Sequence, residues 1–154
     1  MIGIGVIGAG SMVARLAVLP AIVASTHATL AAASSLSTPP SSVWSDVSVA
    51  DYQAVLDHPD VDAVYIPLPN AMHEEWTIKA AAAGKHVLCE KPIAASVQAA
   101  ERMRVACDDA GVLLAEAWMT PFDPRWAEVM RLAATGLVGA ITEVRSTFAF
   151  TIGP

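Results

Sequence analysis

The chain has little of what marks several large classes of protein. Its 2 cysteines, Cys89 and Cys107, lack metal-type spacing and cannot form a disulfide framework. Both read as small hydrophobes in a reducing compartment, and no metal ligand set is expected. Only 9 basic residues stand against 15 acidic ones. They are scattered with no basic stripe, so the net charge of −6 argues against a nucleic-acid partner. No apolar run approaches the roughly 20 residues of a bilayer span, and no membrane partner is expected. No secretion signal is expected either: no Lys or Arg precedes the first apolar stretch, Arg15 lies inside it and Pro20 interrupts it. The expectation is a soluble, cytoplasmic protein whose length allows one good core.

What is present is an alternation of apolar runs and helical patterns. The runs Ile2–Ile7, Ala28–Ala33, Val61–Ile66, His86–Cys89 and Val112–Ala115 predict strands buried on both faces, since none alternates. Helices are predicted over Met12–Ala24, Ala50–Leu56, Met72–Ala83 and Val97–Ala110. The fold class that follows is α/β, a doubly wound parallel sheet of Rossmann type. Gly84, Gly111 and Gly136 stand where helices end, and Ser48 (with Asp51) and Ser96 where they begin. Ser34–Ser45, rich in hydroxyls and holding Pro39 and Pro40, reads as a loop that replaces the usual crossover helix.

After Ala115 the pattern changes. A proline-broken aromatic stretch, Trp118–Pro124, precedes a helical pattern over Arg125–Thr135 and a long, partly alternating run, Ile141–Thr151. The expected division is a dinucleotide-binding domain over 1–117 and the beginning of a truncated second α/β domain over 118–154. A terminal strand over Ile141–Thr151 would have nothing to pair with, and such an edge invites association.

Ligands of an open doubly wound sheet bind beyond the carboxyl ends of its strands. The first strand ends in Gly8-Ala9-Gly10-Ser11-Met12, a turn whose bare backbone lets a pyrophosphate approach a helix N-terminus. Val13 fills the third glycine position of that motif. Ser34 and Ser35 end the second strand, and Pro67-Leu68-Pro69-Asn70, with His73 a turn later, ends the third. Glu90-Lys91-Pro92 ends the fourth, and Glu116-Ala117-Trp118 the fifth. Lys91, held extended by Pro92, is the candidate for proton exchange with a substrate. Blander roles compete: a helix cap for Asn70, a surface site for His73, an exposed ion pair for Glu90 and Lys91, core for Trp118. The cofactor is NAD or NADP. Ser34 and Ser35 supply neither the carboxylate that favours NAD nor an arginine, and their hydroxyls lean towards NADP.

The turn Gly8-Ala9-Gly10, the run Asp60–Asn70 with His73, and Gly84–Pro92 closely resemble the glucose–fructose oxidoreductase/inositol dehydrogenase/MocA family. Glu116–Met119 and Gly139–Val144 also look like that family's passage into its second domain. The resemblance implies NAD(P) binding, hydride exchange with a sugar, cyclitol or related small molecule, and a homo-oligomer built by the second domain. It implies that Lys91 is catalytic, that Glu90 touches the nicotinamide ribose, and that Asn70 and His73 line the nicotinamide side. Thr120, Pro121, Phe122 and Asp123 depart from the family pattern. Its second catalytic motif, an aspartate with a histidine, is expected only after residue 154. The chain alone is therefore expected to bind cofactor and to turn over substrate poorly.

Overall fold

A computed structural model describes residues 1–147 and 149. The chain divides into two compact units, Met1–Ala117 and Trp118–Pro154. In the first, strands β1 (Ile2–Ile7), β2 (Ala28–Ser34), β3 (Ala63–Ile66), β4 (His86–Cys89) and β5 (Leu114–Glu116) form a parallel sheet of order β2-β1-β3-β4-β5. The order reverses between β1 and β3, so their carboxyl ends make a switch-point crevice.

Helical backbone follows β1 in two parts. A π-helical stretch, Ala14–Val18, runs into α1, Leu19–Ala24. Pro20 has no N–H for the preceding turn. The wider turn, closed by the Leu19 N–H on the Ala14 carbonyl, takes the ring without ending the helix. The remaining helices of this unit are α2 (Tyr52–Leu56), α3 (His73–Ala82) and α4 (Val97–Asp109).

Successive strand residues point to opposite faces, and the core divides accordingly. Val6 and Tyr65 pack with Ala14, Leu19, Ile22 and Trp44 on the α1 side. Ile7, Val64 and Ile66 pack with Val55, Leu56, Ala80 and Met103 on the other. Each such fully buried aliphatic side chain contributes about 1.5–3 kcal/mol relative to exposure. Two further bonds fix the amino ends of the strands: the Gly3 N–H donates to Asp62 Oδ2 at 2.7 Å and Lys85 Nζ to the Val61 carbonyl at 2.7 Å.

The structure differs from the sequence reading at several points. β4 is not buried on both faces: it alternates, with Leu88 39% exposed, because α1 covers the part of that face nearer β1 and β2. The segment Ser34–Ser45 is more than a loop, since Trp44 within it is fully buried against α1. Asp51, not Ser48, caps α2, accepting from the Ala54 N–H at 2.8 Å. Ser96 caps α4 as expected.

In the second unit α5, Pro124–Ala134, starts at the Asp123 cap, and no residue of it is buried among the described residues. The strand expected over Ile141–Thr151 is not formed over 141–147, which carry no ladder partner to fix an extended backbone. Residues 148 and 150–151 of that expectation lie outside the described residues.

Candidate active site

The carboxyl ends of all the strands meet on one edge of the sheet, and the glycine turn after β1 is its centre. Gly8 has φ +105°, a conformation that disfavours any side chain. The Gly8 and Ala9 N–H groups both donate to the Ser34 carbonyl at 2.9 Å, which locks the turn to the end of β2. The Ser11 hydroxyl then accepts from the Ala14 N–H at 3.2 Å and starts the helix. Met12 beside it is 75% exposed.

Gly10 is bare for a steric reason. A Cβ there would stand 2.4 Å from Ser35 Oγ and 2.5 Å from Thr38 Oγ1. Among the described residues the Gly10 N–H has no protein acceptor. A free amide in a turn no side chain can enter, at the mouth of a helix, is the donor set a pyrophosphate requires. The residues present therefore fit a dinucleotide.

The Ser34–Thr38 segment forms the wall of this turn. Ser34 is fully buried, so it serves through its carbonyl and does not present its hydroxyl to a ligand, contrary to the expectation. Ser35 is half-buried and accepts from the Thr38 N–H at 3.1 Å. Thr38 escaped the sequence reading. Its position depends on the Ser35 turn, which composition alone does not reveal.

On the other side of the crevice Pro67 and Leu68 are buried, and a Cβ on Gly8 would lie 2.8 Å from Leu68 Cδ2. Leu68 thus packs beneath the turn. Asn70 is exposed and makes no cap bond: the short 3-10 turn Asn70–Met72 intervenes before α3. Its amide remains available to a ligand.

His73 is the clearest departure. It is 0% exposed, with Nδ1 3.0 Å from the Pro92 carbonyl and Nε2 2.8 Å from the Leu68 carbonyl. Expected to line the nicotinamide side, it instead ties the loop after β3 to the loop after β4 from below.

That second loop holds Glu90 and Lys91. Glu90 Oε1 accepts from the buried Tyr65 hydroxyl at 2.9 Å, and Oε2 from the Lys91 N–H at 3.0 Å. The Ile93 N–H donates to Glu116 Oε1 at 2.8 Å, tying the loop to the end of β5. The Lys91–Pro92 bond is cis and the Lys91 side chain is exposed. Glu90 and Lys91 are therefore not a surface ion pair: the carboxylate is held by the phenol and the main chain.

Burial, with Glu90 adding to it, pushes the Tyr65 phenol well above its ordinary 10.0. Tyr65 thus donates at every physiological pH. Burial likewise raises the Cys89 thiol from 9.0 to about 12, leaving it inert. Trp118, 54% exposed, opens the second unit. No group of three or more potential metal ligands is found among the described residues.

A wound parallel sheet, a bare glycine turn at a helix mouth and a lysine loop on the same edge define a domain of dinucleotide-binding class. Residues 2–117 match the family profile described as "Oxidoreductase family, NAD-binding Rossmann fold", and the chain belongs to this Gfo/Idh/MocA family. It is 39% identical over 152 residues to a D-xylose 1-dehydrogenase (NADP(+)) of Haloferax volcanii, covering 96% of this chain and 46% of the relative. It is 36% identical to a dTDP-3,4-didehydro-2,6-dideoxy-alpha-D-glucose 3-reductase of Streptomyces violaceoruber, covering 98% and 44%.

Among solved structures, a 3-ketoreductase from Actinomadura kijaniata in complex with NADP and TDP-benzene superimposes with a TM-score of 0.78 at 34% identity, over 88% of this chain and 43% of that one. An aldose-aldose oxidoreductase from Caulobacter crescentus gives 0.78 at 32%, over 90% and 44%. The chain spans under half the length of these relatives. No helix is long and apolar enough to cross a membrane among the described residues.

Proposed function

We propose that the protein is an NADP-dependent oxidoreductase acting on a carbinol or carbonyl carbon of a sugar, cyclitol or related small molecule. One observation carries this reading: the bare Gly10 turn and the Glu90–Lys91 loop lie on the same edge of the same sheet. The bound dinucleotide would supply the hydride acceptor or donor. Gly10 would receive the pyrophosphate on its free amide. Glu90 would orient the ribose hydroxyls, and Asn70 the carboxamide side. Lys91 Nζ would take the proton of a substrate hydroxyl in one direction and return it in the other.

Preference for NADP is supported by the Ser35 and Thr38 hydroxyls beside the turn and by the lack of a carboxylate at the end of β2. The named NADP enzymes and NADP-bound structures among the relatives point the same way. The reading extends to a reducing cytoplasm, which the free, buried Cys89 and Cys107 suit. It also places a homo-oligomer contact in the segment from Trp118, supported by exposed Trp118, Phe122, Val129, Met130 and Leu137. The domain boundary after Ala117 is part of the same proposal.

Calorimetric titration with NADP+ and NAD+ tests the cofactor assignment. Saturable binding, tighter for NADP+, is expected, and no heat with either nucleotide defeats it. The role of Lys91 is tested separately: Lys91→Ala should leave NADP+ affinity near that of the unaltered chain and abolish sugar-dependent NADP+ reduction. Undiminished reduction by the variant would clear Lys91 of the proton transfer, and saturable NADP+ binding with no sugar-dependent reduction by the unaltered protein would favour a non-catalytic dinucleotide-binding module instead.

A further inference from the structure

Tyr65 sits in the middle of the core, yet its hydroxyl ends at the candidate site. In the register of β3 and β4, Tyr65 lies opposite Leu88. Glu90, two residues beyond Leu88, falls on the same face of the sheet, so the pleat aims the phenol along β4 at the carboxylate. The ring itself is fixed, 1% exposed among Val6, Ala14, Leu19 and Trp44. Glu90 has little freedom left: Oε1 takes the Tyr65 hydroxyl at 2.9 Å, Oε2 takes the Lys91 N–H at 3.0 Å, and its own N–H donates to the Ile66 carbonyl at 3.1 Å.

We propose that Tyr65 is a positioning residue that acts through Glu90, setting the carboxylate and the adjoining Lys91 main chain in the geometry that receives the ribose of the cofactor. The inference rests on the dinucleotide reading above. A glutamate side chain free in solvent loses rotamer freedom when a ligand immobilises it. Here the phenol imposes that order before the ligand arrives. Burial and the neighbouring carboxylate keep the phenol protonated, so it acts only as a donor to Glu90. The competing view is that Glu90 merely satisfies a buried hydroxyl, and a double-mutant cycle on cofactor affinity separates the two.

The experiment measures NADPH affinity by fluorescence titration, and thermal midpoint, for the unaltered chain, Tyr65→Phe, Glu90→Ala, Glu90→Gln and the two double variants. Tyr65→Phe keeps the ring in the core and should weaken NADPH binding roughly 3- to 10-fold, the effect of one lost intramolecular hydrogen bond. In the Glu90→Ala background the same change should cost nothing further. In the Glu90→Gln background, which keeps an acceptor, it should still weaken binding.

Independent losses in the Glu90→Ala background, or a Tyr65→Phe chain with undiminished affinity, overturn the proposal. If Tyr65→Phe does not fold, the same cycle is run with Tyr65→Met, and equal losses with and without Glu90 overturn the proposal. An unaltered chain that binds no NADPH removes the cofactor reading and this inference with it. Additive losses with normal binding by the unaltered chain remove this inference alone.

Discussion

Single residues at this site are set by what surrounds them more than by their own chemistry. Cys89 stands next to Glu90 in sequence, yet burial makes its thiol the weaker acid, at about 12 against an ordinary 9.0. Tyr65 is raised for the same first reason. Both shifts favour the protonated form in the folded state, so their contribution is fully present below the unfolded pKa values and is lost as pH rises. The chain should therefore lose stability from about pH 9 upward, by roughly 1.4 kcal/mol per pH unit for the Cys89 proton alone. The Tyr65 proton adds to the slope above pH 10.0.

Denaturant melts at pH 7 and pH 10.5 check this, and equal stability at the two values would contradict it. Thiol chemistry gives a second view of the same residue. Native Cys89 should resist iodoacetamide at neutral pH until the chain is unfolded, as followed by mass spectrometry.

At the scale of elements, the loop after β4 depends on the strands and helices beside it. His73, at the start of α3, places its ring nitrogens within hydrogen-bond reach of two carbonyls, Leu68 after β3 and Pro92 after β4, and donates to one of them in each ring tautomer. His73→Ala would leave a cavity and an orphaned acceptor. It should cost about 2–4 kcal/mol and raise amide exchange at Glu90 and Ile93. A denaturant melt with hydrogen exchange read by NMR checks both, and unchanged protection of those amides would mean that the loop holds itself.

The elements themselves were largely legible in the sequence. Ile2–Ile7 and His86–Cys89 are strands over the residues the apolar runs delimit, although only the first is largely buried. The cap of α4 at Ser96 was equally plain. The bonds that tune the loops were not. His73 lies 19 residues from Pro92 and Tyr65 25 residues from Glu90, in a chain whose local patterns reach only a few residues. Trp44 was hidden in a hydroxyl-rich stretch, and only the Ala33–Ser48 bridge shows how that stretch returns to the sheet. Residues 141–147 differ from the strand expected there because β-rich composition with no strand beside it among the described residues makes no ladder.

For the molecule as a whole, the claim is that two loops, 80 residues apart in sequence by the difference between positions 10 and 90, serve one ligand. The parallel winding makes that possible, since every strand delivers its carboxyl end to the same edge. The glycine turn contributes an unpaired amide and bare backbone; the β4 loop contributes a held carboxylate and a free-standing ammonium. Neither alone defines an oxidoreductase.

The most direct measurement is an amide-resolved NMR titration of the chain with NADP+. Resonances of Gly10 and of Lys91 should shift together along one saturation curve, with the amides at the amino ends of β1 and β2 undisturbed. Shifts confined to one of the two loops, or two curves with different midpoints, would contradict a shared site.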